Sequence, residues 1–68
     1  MKKNDALGGR EIYLEFRPVG NLMKVTAVDA ATLVEVSISG PRNTSEQILK
    51  TQAGKMLEYR LRKEGHIE

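Results

Sequence analysis

From Glu11 onward the sequence alternates strictly, with Ile12, Leu14 and Phe16 on one side and Glu11, Tyr13, Glu15 and Arg17 on the other. A repeat of two belongs to a β-strand with one dry and one wet face, and no helix satisfies it. Pro18-Val19-Gly20-Asn21 interrupts the pattern with turn-forming residues, after which Met23, Val25 and Ala27 alternate with Leu22, Lys24, Thr26 and Val28. Asp29-Ala30-Ala31-Thr32 is a second turn, whose Asp and Thr oxygens can accept bonds from nearby amides. It leads into residues 33–39, where Val34, Val36 and Ile38 form a third apolar row. Connections this short join only antiparallel neighbours, so the three runs predict a meander in the order 1-2-3. Gly40-Pro41 stops the sheet, because proline lacks the ladder donor.

The periodicity then changes. Thr44-Ser45-Glu46-Gln47 reads as a T-x-x-Q capping box with Thr44 as the cap, Asn43 or Ser45 being alternatives. Leu49, Ala53, Met56 and Leu57 share one arc of the helix that follows, flanked by Ile48 and Tyr59 on one side and Leu61 on the other. Gly65 closes it behind Arg62 and Lys63, which suit the negative end of the helix dipole. The expected fold is α+β: a three-stranded antiparallel meander covered on one face by a single C-terminal helix, β-β-β-α in two layers. Residues 1–10, with Lys2, Lys3, Asn4, Asp5 and the Gly8-Gly9 pair around Leu7, read as a flexible arm. The domain proper is residues 11–65, and residues 66–68 are a tail.

A chain of 68 residues holds one core and buries only roughly 60% of its unfolded surface. It has no cysteine for a disulfide, and its one histidine, His66, does not make a zinc site. Eleven Lys and Arg against nine Asp and Glu give a formal charge of +2, mildly basic and far from a polyelectrolyte. Uninterrupted apolar runs reach two or three residues, so neither a membrane-spanning helix nor a signal peptide is expected, and cytoplasmic residence is the default.

Catalysis has little to work with. Glu11, Glu15 and Glu35 project near Arg17 and Lys24 as a solvated face with cross-strand ion pairs, whereas catalytic carboxylates need partial burial. Ser37, Ser39 and Ser45 lack a histidine within reach, His66 lies beyond the helix stop, and no phosphate-binding glycine loop occurs. The sequence therefore predicts no enzyme, no catalytic residues, no metal and no cofactor.

The stretches E-I-Y-L-E-F-R-P-V-G, K-V-T-A-V-D-A-A-T, E-V-S-I-S-G-P and K-M-L-E-Y-R-L, covering residues 11–62, resemble a group of short proteins of unknown function, mostly from alphaproteobacteria. That resemblance implies a bacterial cytoplasmic protein and brings no catalytic residues with it. Residues 37–57 also resemble, in layout only, the double-stranded-RNA-binding domain, which runs α-β-β-β-α and meets phosphates at its last helix. Lys50 and Lys55 are the lysines available for that role here.

Two surfaces remain as binding candidates. Tyr13, Leu22, Val28 and Leu33 fall out of phase with the core rows and would stand with Lys24 on the sheet face opposite the helix, a surface for a protein partner or for a homodimer. Unpaired backbone at the outer strands offers a second route to a dimer. The alternative is weak RNA binding through Lys50, Lys55, Arg60, Arg62 and Lys63 on the basic helix. The sequence thus predicts a small accessory binding module acting away from membranes.

Overall fold

In the computed structural model, which describes residues 2–7 and 9–68, the first six as backbone only, the chain forms one antiparallel sheet and one helix. The elements are β1 (Lys2–Leu7), β2 (Arg10–Val19), β3 (Leu22–Asp29), β4 (Glu35–Pro41) and α1 (Glu46–Lys63), and the strand order is β1-β2-β3-β4. The expected meander and covering helix are present. The sheet gains a fourth strand from the segment read as a flexible arm: β1 pairs with β2 through Lys2↔Leu14, Lys3↔Tyr13 and Asn4↔Ile12, and closes at Leu7↔Arg10. Gly9, in the turn before β2, has φ 84, the backbone region a tight hairpin demands. An edge strand in water needs no apolar alternation, so the sequence of β1 gave no periodic signal. A strand also stands where the double-stranded-RNA-binding layout has its first helix.

Register aligns the apolar rows. Leu14 lies opposite Ala27 and Ala27 opposite Val36, and the next row runs Phe16, Val25, Ile38. Leu49, Ala53, Leu57 and Leu61 of α1 descend onto them, and these four with Ile12, Leu14, Val25, Ala27 and Val36 make the buried core. Phe16, Met23, Val34 and Ile38 pack around it. Met56, placed by periodicity inside the apolar arc, is 45% exposed.

β2 continues through Pro18 and Val19, which had read as turn. Proline is tolerated there because Pro18↔Met23 is a non-hydrogen-bonded pair whose nitrogen points away from β3, at a level where no partner position of β1 is paired. The turn shrinks to Gly20-Asn21, with Gly20 at φ 59, as in a type II′ hairpin.

Ser45 caps α1, its Oγ accepting from Ile48 N–H at 3.2 Å. At the other end Gly65 N–H donates to Arg62 C=O at 3.1 Å and His66 N–H to Leu61 C=O at 2.9 Å, a Schellman closure. The tail is held as well: Ile67 packs against the core, and Arg62 Nε donates to Glu68 C=O at 3.1 Å.

One polar group joins the core. Asp29 is fully buried at the end of the apolar rows, opposite Ile12. Arg10, read from sequence as the last residue of a flexible arm, instead clasps it in a bidentate pair, Nε to Oδ1 at 3.0 Å and Nη2 to Oδ2 at 2.9 Å. Thr32 adds donations to Oδ2 from its N–H at 2.9 Å and its hydroxyl at 2.7 Å, and Val34 N–H donates to Thr32 Oγ1 at 3.2 Å. The bonds from Arg10, with those from Thr32, hold the Asp29 carboxyl down at about 2 against the opposing effect of burial.

Candidate functional site

The face of the sheet away from α1 carries the odd-numbered residues of β2 and β4 and the even-numbered residues of β3. Their cross-strand rows are Tyr13–Val28–Glu35, Glu15–Thr26–Ser37, Arg17–Lys24–Ser39 and Val19–Leu22–Pro41. The predicted residues do not form one patch. Tyr13 and Val28 sit side by side and half-buried at one end, with Tyr13 Oη donating to Glu11 Oε2 at 3.4 Å. Leu22 lies at the other end, six residues or about 20 Å along β3, where it pairs with Val19. Both are about half exposed, Leu22 at 47% and Val19 at 53%. The pairing of Val19 was legible in the Gly20-Asn21 dipeptide, a two-residue hairpin signal.

Polar rows separate the two ends. Thr26 and Ser37 share a hydroxyl hydrogen bond at 3.1 Å. Beside them Arg17 stands directly opposite Lys24, and neither has an acidic partner among the described residues. Like charges facing each other across a sheet cost stability. This pair gives the middle of the face a local positive charge that the sequence, read one residue at a time, did not show.

Leu33 corrects an expectation. It is not the first residue of β4, which begins at Glu35, but part of the turn that Asp29 organises. Its N–H donates to Asp29 C=O at 2.7 Å, its φ is 64, and its side chain is 74% exposed. A leucine in the left-handed region is strained by roughly 1–2 kcal/mol, and at this exposure it returns little to the core. It lies at the same end of the sheet as Tyr13 and Val28.

The alternative cations do not converge. Lys50 and Lys55 are about 140° apart around the helix, and Lys50 is half-buried while Lys55 is exposed. Arg60 Nε lies 3.9 Å from Glu64 and Arg62 Nη2 3.6 Å from Glu58, so two of the five are engaged within the chain. His66 Nε2 is 3.7 Å from Glu64.

Among the described residues no three His, Cys, Asp or Glu side chains gather as a metal site, and no helix is long and apolar enough to cross a membrane. No curated protein and no solved structure matches the chain. The profile of a family described as a domain of unknown function, DUF6898, matches residues 9–64, from the β1–β2 turn to the end of the helix, and the chain belongs to that family.

Proposed function

We propose that the protein is a non-enzymatic accessory module of the bacterial cytoplasm that binds a protein partner through the outer face of its sheet. One observation carries the reading: α1 covers a single face, and the other presents apolar pairs at both ends with Arg17 and Lys24 facing each other between them. A partner carboxylate seated on that pair relieves its repulsion, while apolar groups of the partner cover Tyr13 and Val28 or Val19 and Leu22. Leu33 adds support, since an exposed and strained leucine is better accounted for by a contact outside the chain than by folding. RNA binding through Lys50, Lys55, Arg60, Arg62 and Lys63 has weaker support, because those cations spread around the helix.

Affinity capture from extracts of the protein's own host, at low and at high salt, tests the proposal. The partner is expected to stay bound at high salt, where phosphate contacts weaken steeply and apolar contacts persist. It is lost from Tyr13→Ala with Leu22→Ser and kept by Arg60→Glu with Arg62→Glu. The reverse pattern moves the site to the helix and rejects the sheet face.

A further inference from the structure

The two edges of the sheet are unlike. β1 carries Lys2, Lys3, Asn4 and Asp5, and its register with β2 slips between Asn4 and Leu7. Charge and irregularity of this kind keep an edge from pairing. β4 runs in unbroken register with β3 as far as Pro41 and has a single charge, Glu35. Donation from Asp29 N–H to Val34 C=O and from Arg42 N–H to Asn21 C=O fixes the phase of that ladder. Val36, Ile38 and Gly40 therefore bond inward to β3, and Glu35, Ser37 and Ser39 turn their N–H and C=O groups outward. Pro41, with no N–H to satisfy, also stands at an outward position. Among the described residues no strand lies beyond β4.

The helix is asymmetric in the same direction. α1 packs mainly on β3 and β4 and also reaches β1. Lys50, Gly54 and Glu58 on one flank are half-buried, whereas Ile48, Gln52, Met56 and Tyr59 on the other are exposed, Ile48 at 51% and Tyr59 at 59%. Ile48, Met56 and Tyr59 thus form an exposed apolar stripe on the flank of α1 away from its half-buried side.

We infer that a second copy of this chain occupies this side, β4 running antiparallel to β4 about a two-fold axis at Ile38, with the two helices side by side over one continuous sheet. Two independent dimensions agree with a single axis. Strands lie about 4.8 Å apart, so the part of α1 that passes over β3 and β4 is about one strand spacing from the axis. The helix axes are then about 10 Å apart, at the upper end of the packing distance of two helices. The levels match as well. A Cβ built on Gly40 would lie 2.8 Å from Leu49 Cδ2, which puts those residues at one height. Ile38 is two residues or about 6.6 Å further along, and the same descent on α1 takes about four to five residues, reaching the midpoint between Gln52 and Met56. One rotation thus sets Ile38 against its copy, lets Ser37 exchange both backbone bonds with Ser39 of the second copy, and brings Ile48 near Tyr59 across the helices. The one charge of β4, Glu35, falls opposite Pro41, so no like charges meet along the strands. A side about 23 Å long, the reach of the seven residues of β4, and two layers deep gives a contact toward the small end of specific interfaces.

Analytical ultracentrifugation with amide hydrogen exchange tests the inference. The expected result is a dimer of twice 7.6 kDa, with Ser37 and Ser39 amides whose protection grows with protein concentration. Ser39→Pro, which removes only an outward N–H, and Met56→Lys with Tyr59→Lys, which charges exposed positions, each shift the protein to monomer while its circular dichroism stays that of the wild type. Tyr13→Ala with Leu22→Ser leaves the dimer intact, which separates this contact from the outer-face reading. A wild-type chain that stays monomeric at millimolar concentration with freely exchanging Ser37 and Ser39 amides overturns the inference. So does a dimer that survives both edge and helix variants. The exchange measurement needs no variant to fold.

Discussion

Asp29 concentrates more of this fold's chemistry than any other residue. It is buried, ionised, clasped by Arg10 and bonded twice by Thr32, and so ties the start of β2, the end of β3 and the turn before β4 together. Its carboxyl is held at about 2 against an ordinary 3.8, a depressed value, so the stabilisation is complete above about pH 4 and is lost as pH falls from there toward 2. Denaturant titrations across that window are expected to show stability falling in the wild type. In Asp29→Asn stability is lower at neutral pH and flatter between pH 4 and 2. A wild type as flat as the variant would mean that the pair contributes nothing. The turn-forming role of Asp29 and Thr32 was legible in the sequence. The partnership with Arg10 was not, because it joins residues nineteen apart through a register that no local pattern specifies.

At the scale of elements, the three alternating runs and the helix were legible because each buries one face against another, and burial writes a period into sequence. What was missed obeys other rules. The sequence of β1 carries no apolar alternation, so its one sign was the Gly8-Gly9 dipeptide. Met56 lies within about 20° of Leu49 around the helix, yet the buried row runs on through Ala53, Leu57 and Leu61 and drifts away from it. Of the candidate site, Tyr13, Val28, Leu22 and Lys24 were placed on the correct face by phase alone. Their division into two ends, and the opposition of Arg17 and Lys24, depend on cross-strand register. The fit between sheet and helix is tightest at Gly40, where a methyl group would meet Leu49. Gly40→Ala is expected to lower stability by about 1–2 kcal/mol through overpacking. Combined with Leu49→Val it should cost less than the two single changes summed, as chemical denaturation would show.

At the scale of the molecule, a two-layer slab of 35 × 20 × 17 Å has one small core and an uncovered sheet face, so covering more of its surface is the readiest source of added stability. A dimer through β4 and the helix stripe supplies such cover, and mass action then makes its thermal midpoint rise with protein concentration. Scanning calorimetry over a hundredfold concentration range is expected to show that rise in the wild type and none in Ser39→Pro. A concentration-independent midpoint in both would leave the monomer as the stable unit.

The order of the strands across the sheet is the order of their synthesis, and the helix that closes the core comes last. Each element emerging from the ribosome finds its neighbour already made, so no strand waits for a distant partner and loop closure costs little at every step. β4 leaves the ribosome with its outer side unclaimed, and that edge stays open after α1 has covered the inner face of the sheet. Nascent chains on one messenger are therefore prone to mispair at β4 before the helix arrives, and its arrival completes the surface on which correct pairing depends.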